Sequence, residues 1–415
     1  MNVLVYIPYI KGNIAYKNLL LLSLKLSLTD KVTILTFDEI MLTNASILNS
    51  EVEVICKKHS HNISKKIGRI RFWCFVKNIP VDFEQYDILF TDQDTTIEGY
   101  FFSKKIPSFV LHSGMDVFNA TTVITKHRYR GSKLLIYPLK VLEKWIGCKF
   151  LPRLSSEVQE FNLMDLLIDR IFGWNAKGIR RGLGPSVGLL LSGNRFRYEY
   201  EKIGVDIEKI HVTGVPQYDD FFHSKKYDYK KSKECPIIFF NSSTGNPDRG
   251  LLNVVTEIRN NFPNKIIIAG HPKATNVVKK FISDIASKVE NVEVMLEKRS
   301  DDENKILLLD AYFLVQRHST LGLYAMSARI PIISYSSEFE HPFDEMYFFL
   351  NSKYHAKSLA DLPNVIKKFN ADLNDESMDE YLNEQSDNYA LSNGNCFENI
   401  SSIIHDYNDR SKNKV

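Results

Sequence analysis

An α/β chain with two Rossmann-like parallel-sheet domains facing a central cleft is what the sequence predicts, and three observations predict it. Short apolar runs recur along the chain, separated by stretches long enough for a helix, which is the pattern of strands joined by crossover helices. The series starts again after a polar break near residue 230. The length of 415 residues exceeds an ordinary single core and suits two domains of roughly 150–220 residues each.

The elements are expected in the following order. Val3–Ile7 is a compact apolar run and reads as a first buried strand. The polar turn Lys11-Gly12-Asn13 follows it, and Ala15–Ser27 can then be helix. Val32–Phe37, Val52–Cys56, Asp87–Thr91, Ser108–His112, Leu189–Ser192 and Ile210–Thr213 read as further strands, and Gly214-Val215-Pro216 breaks the last of them. The polar stretch His223–Glu234 marks a domain boundary. Beyond it, Pro236–Asn241, Lys265–Ala269, Val292–Met295, Ala311–Val315 and Pro331–Tyr335 read as strands, with helices over Leu251–Asn260, Asn276–Val289 and Leu321–Ala328. The expected domains are 1–225 and 230–390. Residues 391–415 supply a terminal helix and tail that can pack back on the first domain.

Hydrophobic residues make up 44% and charged residues 25%, a balance that excludes a disordered chain. A net charge of +3 selects no class of partner and does not suggest nucleic acid. The five cysteines are scattered with no CxxC pair, which speaks against a disulfide framework or a zinc site and for a reducing compartment. Met1–Pro8 lacks a basic leader, and its apolar run stops at Pro8, so it reads as a strand and not as a secretory signal. The run Leu19–Leu28 carries Ser23, Lys25 and Ser27 and is too short to span a bilayer. A cytoplasmic protein is the expectation.

Local charge is informative in one place. Lys126, Arg128, Arg130, Lys133, Lys140, Lys144, Lys149 and Arg153 face a single acid, Glu143, with aromatic and aliphatic residues interleaved. Two readings stand: a solvated helix covering the first domain, and a surface of residues 126–153 that docks peripherally on anionic lipid headgroups of the inner membrane.

The strongest chemical signal lies in the second half. His271-Pro272-Lys273 and His318-Ser319-Thr320-Leu321-Gly322 each follow a predicted strand. A strand that ends in small hydroxyl residues and opens a helix offers backbone N–H groups and a positive dipole end to a phosphate. Ser319 and Thr320 can add hydroxyl donors, Gly322 can admit a ligand, and His271 can donate to a phosphate or leaving group. The plain alternatives are a helix cap for Ser319-Thr320 and a structural histidine for His271. The loop Asn241–Asn246, with Ser243, Thr244 and Gly245, is a further candidate for a phosphate or ribose contact.

In the first half, three strand-end segments point toward the expected cleft. Gly12-Asn13 follows the first strand and can approach a donor or acceptor. The run Thr91–Gly99 holds Asp92, Asp94 and Glu98, and the next strand end holds His112 and Asp116. Activating an acceptor hydroxyl needs a base, and Asp94, Asp116 and His112 are the candidates. Asp92-Gln93-Asp94 also has the DxD spacing of a metal site. His341-Pro342, among Glu338, Glu340 and Asp344, can contact a sugar or lie in a surface loop.

"IIIAGHPK" and "AYFLVQRHSTLGLYAMSARIPIISY" resemble the C-terminal halves of bacterial capsule and surface-polysaccharide glycosyltransferases of the GT-B type. That group includes sialyl-, polysialyl- and Kdo-transferases with a His-Pro motif and a later Ser/Thr motif. "GNRFRYEYEKIGVDIEKIHVTGVPQYDDFF" is similar to the segment before their interdomain linker, so the resemblance covers roughly Leu189–Tyr335. It implies a GT-B fold whose second domain holds the nucleotide, with His271 matching the His-Pro histidine and Ser319 and Thr320 the phosphate-binding hydroxyls. It implies a glycosyltransferase that moves a sugar from a nucleotide-activated donor to a growing surface glycan, carried on a lipid or free. A CMP-linked ulosonic acid of the sialic acid or Kdo type leads as donor, with a UDP-sugar next. No cofactor and no metal are required by that reading. The second motif departs from the group in being His-Ser-Thr and not Ser-Ser. Three alternatives stand beside it: a sugar-nucleotide 2-epimerase, a CDP-glycerol-type polyol-phosphate transferase, and a non-catalytic subunit of a capsule-assembly complex.

Overall fold

The structure is a computed structural model that describes residues 1–8, 14–60, 66–112, 181–224, 234–241, 243–317, 319, 321–336, 352–373, 375–389 and 393–413. The described residues form two compact units. One runs to Gln217 and resumes at Asn395; the other is Tyr218–Gly394. The division falls inside a helix, ahead of the polar stretch that the sequence suggests. Tyr218 and Phe221 on that helix place their rings 5.4 and 4.8 Å from Tyr324, which ties them to the second unit.

The first unit is built on β1 (Asn2–Tyr6), α1 (Ile14–Leu26), β2 (Lys31–Thr36), α2 (Ala45–Leu48), β3 (Glu53–Cys56), α3 (Lys66–Lys77), β4 (Ile88–Thr91), α4 (Ile97–Ser103), β5 (Ser108–Leu111), β6 (Gly188–Leu191), α5 (Asn194–Lys202) and β7 (Ile210–Val212). The strands lie in the order β3-β2-β1-β4-β5-β6-β7, all paired in parallel. Parallel strands covered by helices on both faces need apolar residues at every position. Val3 to Tyr6 and Ile88 to Phe90 meet that need and are buried throughout. One face packs Leu4, Tyr6, Leu35 and Leu89 against Phe72, Val76 and Phe102 of α3 and α4.

The second unit contains α6 (Pro216–Ser224), β8 (Ile237–Asn241), α7 (Leu251–Asn261), β9 (Ile266–Gly270), α8 (Asn276–Ala286), β10 (Val292–Met295), α9 (Asp301–Leu309), β11 (Phe313–Gln316), α10 (Leu321–Ser327), β12 (Ile332–Tyr335), β13 (His355–Ala356), α11 (Leu362–Asp372) and α12 (Glu376–Tyr389). Its parallel strands run β10-β9-β8-β11-β12-β13. The core on one face joins Ile237, Phe239, Phe313 and Val315 to Val254, Val255, Ile282 and Phe369 of α7, α8 and α11. Local signals set the helix starts. Thr275 caps α8 by accepting from Val278 N–H, and Ser300 with Glu303 forms a capping box on α9.

The last helix, α13 (Cys396–Lys412), belongs to the first unit. It buries Cys396, Ile400 and Ile404 completely, and Tyr407 meets Phe109 of β5 edge to face at 5.6 Å. Among the described residues no helix is long and apolar enough to cross a membrane. The basic stretch 126–153 and the His341-Pro342 loop lie outside the described residues.

Candidate functional site

Strand order locates the site in the second unit. The chain steps from β8 outward through β9 to β10, then returns to the other side of β8 as β11. The carboxyl ends of β8 and β11 therefore flank a topological switch point, where the following loops diverge and leave room for a ligand. The three motifs taken from the sequence follow β9, β8 and β11, which are neighbours in the sheet.

Two of these segments are tied together directly. Thr275 N–H donates to Thr244 O at 2.9 Å, and Thr275 Oγ1 donates to Gly245 O at 3.3 Å. The 243–245 loop is thereby held against the 271–275 loop. Asn241 Oδ1 accepts from Ser243 N–H at 2.8 Å and turns the chain sharply as it leaves β8. A Cβ on Gly245 would meet nothing within 4 Å, so protein packing does not demand glycine there. Behind the loop, Asp248 accepts from Gly250 N–H at 3.0 Å and from the Tyr335 hydroxyl at 2.9 Å, which joins the start of α7 to the end of β12.

His271 leaves β9 with its ring fixed. Lys273 N–H donates to His271 Nδ1 at 3.0 Å. Nδ1 is then an acceptor, and the neutral ring carries its proton on Nε2. Burial, and then the Lys273 charge, hold the His271 pKa below that of a free histidine. Lys273 itself is exposed. The root of the loop is clamped by Arg299, which donates to Gly270 O at 3.0 Å, Met295 O at 2.9 Å and Asn304 Oδ1 at 3.0 Å.

The tautomer makes a prediction. Nitrogen NMR of the imidazole is expected to find the Nε2–H form, titrating below the ~6.5 of a free histidine. Since the folded pKa is the lower one, this group supports the fold above ~6.5 and ceases to do so as the pH falls through its folded value. A ring protonated on Nδ1 at neutral pH would contradict the Lys273 hydrogen bond.

After β11, Ser319 Oγ accepts from Leu321 N–H at 3.3 Å, and Ser319 O accepts from Gly322 N–H at 3.0 Å. Ser319 thus accepts from the first two N–H groups of α10, a structural role beside the ligand contact its sequence context suggests. Gly322, expected to admit a ligand, is instead buried within that helix. His318 and Thr320 lie outside the described residues, as do Gly12, Asn13 and Asp116.

The first-unit candidates are corrected by their surroundings. Asp94 is fully buried. Its Oδ1 accepts from Gly182 N–H at 2.9 Å, and its Oδ2 accepts from Gly184 N–H at 3.0 Å and from the Ser186 backbone and hydroxyl. Burial pushes this carboxyl above the usual range against the pull of those donors. It anchors a loop, and no oxygen is turned to an acceptor sugar. Asp92, its DxD partner in sequence, pairs with Arg181 at 3.1 Å. His112 is also fully buried, with its ring 4.6 Å from Phe196 and 5.7 Å from Tyr200 under α5. It packs as a core histidine. Glu98, on the first turn of α4, is raised by burial.

Arg299, Asp248, Tyr335 and the Arg181–Ser186 loop support the two sites without a motif that marks them in the sequence. The partners that fix their roles, Gly270 for Arg299, Tyr335 for Asp248 and Asp94 for the 182–186 loop, lie 29 to 92 positions away, so no local spacing reveals them. The Asp-x-Gly turn signal at Asp248–Gly250 is the one cue that was present.

No family model and no curated protein matches the sequence. Solved structures do match in fold. A glycosyltransferase from Rickettsia africae superposes with a TM-score of 0.56 at 12% identity, covering 98% of each chain. The UDP-GlcNAc 2-epimerase from Methanocaldococcus jannaschii gives 0.53 at 13% identity, covering 98% of this chain and 99% of the other. The wall teichoic acid polymerase TagF gives 0.53 at 10% identity, covering 99% and 89%. The chain has the GT-B fold, with two Rossmann-like parallel-sheet units.

Proposed function

We propose that this chain is a glycosyltransferase that binds a nucleotide-activated sugar at the carboxyl end of its second sheet. The observation that carries the reading is the convergence of Ser243–Gly245, His271–Lys273 and Ser319 on three adjacent strands around the switch point. The hydroxyls of Ser243, Thr244 and Ser319, one fixed imidazole N–H and the Lys273 ammonium on these segments suit a phosphate ester. His271 and Lys273 would meet the phosphate, with His318 and Thr320 completing the cradle.

The reaction is attack of an acceptor hydroxyl on the anomeric carbon of the donor. The bond from that carbon to the phosphate oxygen breaks, and the nucleotide leaves with the electron pair. His271 Nε2–H stabilises the departing oxygen as a neutral donor. Of the three bases taken from sequence, Asp94 is spent on the 182–186 loop and the His112 ring is packed against Phe196 and Tyr200, which leaves Asp116 as the candidate. The donor is a CMP-linked ulosonic acid, with a UDP-sugar next, and the acceptor is a surface glycan. This choice of donor rests on the resemblance of the His-Pro and Ser/Thr motifs to enzymes of that kind.

The test is thermal unfolding with CMP, CDP, UDP, GDP and ADP, on the parent and on His271→Ala. Ligand that binds only the folded chain adds about 2.7 kcal/mol of stability at a hundredfold excess over Kd, and the midpoint rises with it. A CMP-selective rise lost in His271→Ala supports the ulosonate reading. A CDP-selective rise points to polyol-phosphate transfer, the chemistry suggested by the TagF likeness. A UDP-selective rise points to hexose transfer or 2-epimerisation. No rise with any nucleotide sinks the donor site.

A further inference from the structure

At the end of β11, next to the switch point, sits an amide that the described residues do not engage. Gln316 is 1% exposed, and neither its side-chain nitrogen nor its side-chain oxygen has a hydrogen-bond partner among the described residues. Native chains satisfy nearly all buried polar groups, so such a side chain calls for an explanation.

Register tells where the amide lies. Phe313 and Val315 of β11 belong to the core formed with α7, α8 and α11, so by alternation Gln316 faces the opposite side of the sheet. In line with it are Phe240 on β8 and Ser334 on β12. Ser334 is already engaged with His355 Nδ1 at 2.8 Å, and Phe240 has no polar group to offer. The buried side chains Leu323, Tyr324 and Met326 of α10 lie outside the core of the first face. Gln316 is the last residue of β11, at the carboxyl end of the strand and beside the loops of the cradle of the preceding section.

The chemistry narrows the ligand. A carboxamide presents an acceptor and a donor side by side. A phosphate would use its N–H and leave its oxygen facing negative charge. An edge that itself carries a neighbouring donor and acceptor satisfies both atoms, as the bidentate pairing of glutamine with adenine illustrates. Resting on the donor-site reading, we propose that Gln316 is the specificity-determining residue that reads the nucleobase edge of the nucleotide. The buried amide then discriminates strongly, because a wrong base leaves it unpaired.

Calorimetric titration of CMP, UMP, GMP, AMP and ribose 5-phosphate into the parent, Gln316→Leu and Gln316→Met tests this. The parent is expected to prefer one nucleotide by at least about tenfold, and both variants to bind all four within about twofold of one another. Ribose 5-phosphate, which has no base, is expected to bind the three proteins equally. Both replacements are close to glutamine in volume, and an unfolding midpoint at or above that of the parent shows that they fold.

Base preference that survives in both variants overturns the proposal and leaves the donor site standing. So does an equal loss of ribose 5-phosphate binding, which would make Gln316 a support for the phosphate loop. Variants that keep base preference but stop distinguishing UDP-GlcNAc from UDP-glucose overturn it in favour of an acetamido contact. A parent that binds the four nucleotides alike overturns it too. A parent that binds none of them overturns both this proposal and the donor-site reading.

Discussion

Asp94→Ala is expected to cost the first unit about 3 kcal/mol or more, the largest stability loss of any single replacement considered for this chain. The carboxylate is fully buried and receives Gly182 N–H, Gly184 N–H and the backbone and hydroxyl of Ser186. Removing it strands those donors where water has little access. For a unit of this size that corresponds to a fall of roughly 6–12 °C in Tm. Gly184→Ala attacks the same contact from the other side, since its Cβ would lie 2.2 Å from Asp94 O. Asp92→Ala is the control. It breaks only the Arg181 pair, whose side chains keep some exposure, and should cost about 1 kcal/mol. The pH dependence carries a sign. Burial raises the folded pKa of Asp94, so the contribution is fullest below ~3.9 and declines as the pH rises through the folded value. Chemical denaturation of the three variants over a pH series checks the order, and an Asp94→Ala protein as stable as Asp92→Ala would refute the anchor.

The strands of this fold are readable because each is a continuous apolar run that must be buried on both faces. Val3–Ile7 and Pro236–Asn241 as read from sequence overlap β1 and β8 almost residue for residue. Helices are harder where part of the buried face is polar. α12 buries Met378, Tyr381, Leu382 and Tyr389 but also Gln385 and Ser386, so its apolar period lapses for a turn and no helix is legible there in the sequence.

The candidate site divides along the same line. His271 with Lys273 is a contact across two residues, and the local order His-Pro-Lys announces it. Ser319 with Leu321 is equally local. The roles of Asp94 and His112 depend instead on residues 80 to 92 positions away, in the 182–186 loop and at Ser192. An acid after a strand looks the same in sequence whether it faces a substrate or a returning loop. Glycines offer a partial cue. Gly182 has a φ of +77°, and Gly184 leaves no room for a Cβ against Asp94, so "RGLGPS" is a turn shaped around a buried group.

His271→Ala is expected to lower turnover of the proposed transfer by about 100- to 1000-fold, the range found when one preorganised donor to a developing oxyanion is removed. The argument starts from the ring geometry. Nδ1 is occupied by Lys273 N–H, so the Nε2–H direction is set before any ligand arrives and no reorganisation is needed as charge develops. A neutral ring suffices, since the interaction is with charge that grows on the leaving oxygen. Turnover should therefore stay level from neutral pH down to the lowered pKa of His271 and change below it, when a proton on Nδ1 displaces the Lys273 bond. His271→Gln separates donation from bulk. Its carboxamide N–H can reach close to the position of Nε2, so it should recover part of the loss that His271→Ala suffers. The acceptor KM should hardly move, because the loss falls on the transition state. Turnover in His271→Ala equal to the parent, with the nucleotide still bound, would remove His271 from the chemistry and leave it as a structural turn.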